Sequence, residues 1–195
     1  MSLGRLRKLF AVFDADVVVY VRWRAGDLDR LIDSRHASLA ERVTQLLELA
    51  GWIVAPEVSF SVFGERGSID LLAWHPATRT LLVIELKSEL TSIEATLRQH
   101  DVKVRLGPDI ARERFGWDAA AVARLLVLPD DRTSRRRVEH HRAVFARAYP
   151  QRNVAVRHWL KLPVGALGGI LFLSDAMAAR SKRRVRRIRG APPGL

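Results

Sequence analysis

The segment Gly67–Lys87, GSIDLLAWHPATRTLLVIELK, constrains this chain more than any other. Two apolar runs flank a polar loop, His75-Pro76-Ala77-Thr78-Arg79-Thr80, and outside that loop the charged side chains are Asp70, Glu85 and Lys87. Val, Ile and Leu fill nearly every position of the runs and not merely alternate ones, the pattern of strands buried on both faces. The proline and polar residues between them read as a hairpin connection. A hairpin symmetric about Ala77 and Thr78 pairs Trp74 with Leu81 and sets Asp70 opposite Glu85. Opposed residues on antiparallel strands share a face, with Cβ atoms roughly 4.5–5.5 Å apart. The period of two puts Lys87 on that face as well. Two carboxylates and a lysine therefore converge at one end of an otherwise apolar sheet.

Like charges opposed on neighbouring strands destabilise a sheet, and buried carboxylates need partners. A divalent cation resolves the conflict, because hard cations such as Mg²⁺ prefer oxygen ligands and accept one or two carboxylates plus waters. Lys87 would then orient or polarise a metal-bound water, or offset charge developing on a phosphate. The competing arrangement is an ion pair between Glu85 and Lys87, with Asp70 capping the preceding loop.

Asp70, with Glu85-Leu86-Lys87 on the next strand, resembles the signature of the PD-(D/E)xK nuclease superfamily, whose members have the restriction-endonuclease-like fold. The acidic residue before that family's second core strand matches Asp70, and its E-x-K matches Glu85 and Lys87. Ser68-Ile69-Asp70 stands where many members have Pro-Asp. Ala40-Glu41-Arg42, a helical run to Ala50, then Gly51-Trp52 and a strand are similar to the opening of archaeal Holliday-junction resolvases. A glutamate on the first helix of those proteins joins the metal site, and Glu41 is the matching position. The resemblance covers roughly Ser34 to Leu128. It implies an α/β fold with an αβββαβ core, its mixed central sheet flanked by helices. It further implies a metal-dependent endonuclease that hydrolyses DNA phosphodiester bonds in repair, recombination or defence. Asp70, Glu85 and Lys87 would be catalytic, and Asp70, Glu85 and Glu41 would hold Mg²⁺ or Mn²⁺. A symmetric junction or duplex target favours a homodimer.

Three further residues have two readings each. Glu41 lies away from the apolar stripe Leu39, Val43, Leu46, Leu47 and Ala50, where an exposed glutamate beside Arg42 is also ordinary. His36, close to that stripe, is a site contributor or a core or capping histidine. Glu57, on the strand after the first helix, is an oxygen ligand or an edge-strand charge.

At 195 residues, nearly half of them apolar, the chain can bury a substantial core. Cysteine is absent, which excludes disulfides, thiolate zinc sites and cysteine nucleophiles. Asp14 and Asp16 interrupt the N-terminal apolar residues before a signal-peptide core can form. Leu162–Ala179 is broken by Pro163, three glycines and Asp175, which makes it a poor membrane span. A soluble cytoplasmic protein without membrane association is the expectation. The formal net charge of +12 points to a polyanionic partner, which the resemblance implies is DNA. Arginine dominates the cations, as it does in proteins of GC-rich genomes, so distribution says more than the total.

Along the chain, residues 1–33 read as an extension with a helix over 2–13, a strand from Asp16 to Trp23 and a turn at Arg24–Asp27. Residues 34–175 read as the nuclease-like domain and 176–195 as a basic flexible tail. Asp33 or Ser34 caps the helix carrying Glu41, and Trp52–Val62 is the first core strand. A helix from Thr91 or Ser92 presents Arg98, Lys103 and Arg105 as candidate phosphate contacts, and Arg183, Arg184, Arg186 and Arg187 in the tail are others. A short helix at Pro108–Phe115, a strand at Arg124–Pro129, a helix at Thr133–Ala148 and strands at Val154–Trp159 and Gly169–Ser174 complete the reading. His140 and His141 are adjacent and cannot form an i,i+4 metal pair.

A second function class is a non-cleaving DNA-binding or transcription-regulatory module with the same fold, partnered by a DNA-reading domain upstream. Asp70, Glu85 and Lys87, all present, weigh against it, since a retired site has no need of buried charge. A purely structural α/β domain with incidental charge is the third.

Overall fold

A computed structural model describes residues 26–62 and 64–174, with side chains from residue 34 onward. Backbone contacts divide the chain into Met1–Leu31 and Ile32–Leu195. The helix expected over 2–13, the strand over 16–23 and the tail arginines 183, 184, 186 and 187 lie outside the described residues.

The elements run α1 (Gly26–Glu48), β1 (Ile53–Val62), β2 (Glu65–His75), β3 (Thr80–Leu86), α2 (Ile93–Phe115), β4 (Ala121–Pro129), α3 (Arg132–His140), α4 (Arg142–Ala148), β5 (Gln151–Arg152), α5 (Asn153–Lys161) and β6 (Gly168–Leu173). This is an α/β fold around a mixed six-stranded sheet of order β1-β2-β3-β4-β6-β5. The first three strands are antiparallel, and β3, β4, β6 and β5 are parallel. Every residue of β3 is buried, as its unbroken apolar run requires of a central strand.

Helices cover both faces. On one, Leu39, Val43 and Leu47 of α1 and Val156 and Leu160 of α5 pack on Leu71, Ala73, Leu82, Ile84 and Leu86. On the other, Leu106, Ile110 and Ala111 of α2 pack on Ile69, Leu72, Trp74, Leu81 and Val83. Each of the Val, Leu and Ile side chains contributes about 1.5–3 kcal/mol by leaving water. Trp52 ties the first face together by donating its indole N–H to Leu160 O at 2.8 Å.

The hairpin has the expected register: Trp74 pairs with Leu81 and His75 with Thr80. Four other expectations change. Helix α1 begins at Gly26, so Gly26 and Asp27 are helical where a turn was expected, and neither Asp33 nor Ser34 caps its start. Pro108 does not begin a separate helix but lies inside α2, which Ser92 caps through Oγ to Ala95 N–H at 3.2 Å. The helix expected over 133–148 breaks at His141 into α3 and α4. Val154–Trp159 is helical and not a strand, because burying Val156 with Leu160, four residues on, takes precedence over the alternation that suggested a strand. Among the described residues, no helix is long and apolar enough to cross a membrane.

Candidate active site

At Asp70 the sheet opens on both sides. The β1–β2 ladder pairs Pro56 with Leu71 and Val58 with Ile69 but omits the Glu57–Asp70 step between them. The β2–β3 ladder ends at Leu71 with Ile84. Glu57 has φ 50°, a left-handed conformation that costs a non-glycine residue about 1–2 kcal/mol. Alternation slips there on both strands together, since Ile69 and Leu72 pack in one cluster, as do Ala55 and Val58. The break frees the Asp70 side chain to replace a strand hydrogen bond. Lys87 N–H continues the ladder to Val127 O at 3.1 Å. Leu86 N–H points the opposite way, toward β2, and donates to Asp70 Oδ2 at 2.7 Å.

Glu85 is fully buried beside Asp70. Lys103, reaching down from α2, bridges the two acids: its Nζ lies 2.9 Å from Asp70 Oδ1 and 2.5 Å from Glu85 Oε2. Lys87 Nζ approaches the other oxygen, Glu85 Oε1, to 2.7 Å. That contact is an ion pair, and Oε1 is buried with no other polar partner among the described residues. Burial alone would pull the Lys103 ammonium down, yet Asp70 and Glu85 hold its pKa above the ordinary lysine value.

Two features of α2 place Lys103. Gly107, one turn on, lies so close to β3 that a Cβ there would meet Val83 Cγ2 at 3.0 Å. His100, one turn back, is fully buried and pinned between Tyr149 Oη, 2.7 Å from Nδ1, and Val83 O, 3.1 Å from Nε2. A carbonyl only accepts, so Nε2 carries the proton and Nδ1 accepts from the tyrosine. Burial drives the His100 pKa down to about 3, against the raising effect of the Val83 carbonyl. Burial likewise pushes the Tyr149 hydroxyl above its ordinary value.

Asp70, Glu85, Lys87 and Lys103 line a cleft of about 790 Å³ that also takes in His36, Arg66, Glu89, Thr91, Arg98 and Gln99. Asp70, Glu85 and Lys87 thus meet as the register implied, and Arg98 is exposed at the same cleft. Glu41 is elsewhere: it accepts from Gln45 Nε2 at 3.2 Å and lines a separate groove with Arg157 and His158. Its helix face is turned from β2, so it adds no third carboxylate. Glu57 is exposed and does not line the cleft. Lys103 is not a surface phosphate contact, since its head group is engaged by both acids. Arg105 is exposed and paired with Glu65. Among the described residues, no group of three or more His, Cys, Asp or Glu side chains is placed to hold a metal. Asp70 and Glu85 are the oxygen donors that converge.

A basic hollow of about 810 Å³ on α3, lined by Arg132, Arg136, Arg137, His140 and His141, was not foreseen. It is tied to the cleft rim twice. Arg137 donates to Leu90 O, next to Glu89 and Thr91, and Asp131, the α3 N-cap, pairs at 3.1 Å with Arg35, next to His36. The run Arg135-Arg136-Arg137 was its signal in the sequence. No family model matches the chain, and no curated protein matches it by sequence.

Proposed function

We propose that this protein is a metal-dependent nuclease that hydrolyses phosphodiester bonds in DNA, built on a restriction-endonuclease-like αβββαβ core. The observation that carries the reading is Glu85: a fully buried carboxylate, set against Asp70, whose Oε1 meets the Lys87 ammonium at 2.7 Å and no other polar group among the described residues. Two carboxylates brought together out of water are costly unless cations complete them. Two acidic side chains with water suit Mg²⁺ or Mn²⁺, so the residues present fit such an ion. When bound, the ion would supply a nucleophilic water at neutral pH and polarise the phosphoryl oxygen.

The chain's own residues set up the rest. Asp70 and Glu85 hold the cation, with Asp70 kept rigid by Leu86 N–H. Lys87 stands at the cleft side of Glu85, where its ammonium offsets negative charge on a phosphate. Arg98 meets the backbone at the cleft, and the α3 hollow takes phosphates beyond it, contacts that are salt-sensitive and blind to sequence. Separate phosphate grips on one rim suit an extended nucleic acid better than a small phosphoester.

One observation favours the second reading, a DNA-binding module that does not cleave: Lys87 and Lys103 already balance Asp70 and Glu85 in charge. The two readings separate on labelled linear duplex, single-stranded, flapped and four-way-junction DNA with Mg²⁺ or Mn²⁺, beside an EDTA control. The nuclease reading requires cutting that EDTA, Asp70→Asn and Lys87→Ala each abolish. Binding without cutting, unchanged in both variants, supports the module.

A further inference from the structure

Lys103 is the unusual member of the site. A lysine on a helix face has water to reach for, yet this one is held between Asp70 Oδ1 and Glu85 Oε2 with its side chain only 12% exposed. Its Nζ stands where a cation bridging the two acids would stand. The arrangement removes the repulsion between opposed carboxylates without any bound ion, which explains how the two acids can sit side by side just beyond the β2–β3 ladder. The charges then sum to zero: Asp70 and Glu85 against Lys87 and Lys103. A divalent ion added to that set, with both ammoniums in place, would leave two positive charges in excess within a few ångströms of one another, in a setting that screens poorly. One ammonium must give way. Lys87 touches Glu85 alone, whereas Lys103 touches both acids and is the group in the ion's way.

We propose that Lys103 is an internal counter-cation that holds the Asp70–Glu85 pair together in the metal-free protein and is displaced when a divalent cation binds. This rests on the reading of Asp70 and Glu85 as the metal-holding pair. Its flexible stem needs only to rotate toward the cleft, where Arg98 and Gln99 of the same helix already stand. The released ammonium then lies on the side from which a phosphate enters. Lys103 is a positioning residue here, acting through the two carboxylates, and metal affinity in this protein is set by what the ion must expel.

Calorimetric titration of Mn²⁺ into the wild-type protein, Lys103→Met, Lys87→Met and Asp70→Asn tests it. Lys103→Met should bind Mn²⁺ tighter by on the order of tenfold or more, the effect of removing one competing unit charge at contact. Lys87→Met should change the affinity less, and Asp70→Asn should abolish it. Lys103→Met should also melt lower than wild type in EDTA and recover in Mn²⁺, since the ion then replaces the missing cation. Equal or weaker Mn²⁺ binding by Lys103→Met overturns the exchange while leaving the metal reading intact. No Mn²⁺ binding by any of the proteins overturns both. A measurement on the wild type covers a variant that fails to fold: acylation of Lys103, read by mass spectrometry against exposed Lys161. Displacement predicts that Lys103 labelling rises severalfold when Mn²⁺ replaces EDTA, and unchanged labelling overturns it.

Discussion

Asp70 Oδ2 accepts the backbone N–H of Leu86 at 2.7 Å, so one oxygen of a site carboxylate closes the sheet while the other faces Lys103. Structure and candidate chemistry share this side chain, and its substitutions should separate the two.

Asparagine at position 70 keeps an oxygen for Leu86 N–H and loses the charge. Alanine loses both and leaves a buried donor unpaired, which costs about 1–3 kcal/mol. Asp70→Ala should therefore be less stable than Asp70→Asn by about that amount in urea denaturation, with neither holding Mn²⁺. Equal stabilities would mean that the Leu86 bond contributes nothing.

His100 sets an acid limb on stability. Its native pKa is about 3, against 6.5 for an ordinary histidine. Above pH 6.5 neither state binds the proton, and its contribution is intact. Between pH 6.5 and about 3 the unfolded chain takes up a proton that the buried imidazole refuses, so stability falls as pH falls, by up to about 1.4 kcal/mol per unit. His100→Gln should flatten this part of the profile, measured by urea midpoints from pH 7 to 4. A parallel profile in the variant would contradict the assignment.

Gly107 sets the distance between α2 and β3. Valine there places branched carbons against Val83, where a Cβ alone already sits at 3.0 Å. Overpacking of this kind costs about 1–3 kcal/mol. Gly107→Val should destabilise by that much and lift Lys103 from the carboxylates, and Val83→Ala should recover part of the loss. A double-mutant cycle measures the coupling, and strict additivity would argue against the contact.

The α3 hollow makes a prediction about salt. Arg132 and Arg136 are exposed, and converting both to alanine should weaken DNA binding about equally across sequences. The slope of log K against log salt should shrink by about 2. An unchanged slope would place the DNA elsewhere.

The hairpin was legible because its determinants are local: a polar loop, a period of two and the symmetric pairing of Trp74 with Leu81 fix which residues oppose. The left-handed Glu57 was not, since Ala-Pro-Glu-Val carries no glycine to announce it, and with it went the joint slip of β1 and β2. Lys103 looked like a surface cation because it lies 33 residues from Asp70, and only the docking of α2 through Gly107 and His100 brings it there. His100 itself could have been suspected from its place between Leu97 and Val104 on the inward stripe. Glu41 looked like a ligand by resemblance alone, and its helix turns it into another groove. Val154–Trp159 satisfied two periodicities at once, and the helical one prevailed by burying Val156 and Leu160 on one face.

The most direct measurement is the anomalous scattering of crystals soaked in Mn²⁺, beside a metal-free control. The account predicts a peak bound by oxygens of both Asp70 and Glu85, with the Lys103 ammonium moved away from them. A map without a peak there, and with Lys103 still bridging the two carboxylates at saturating Mn²⁺, would contradict it.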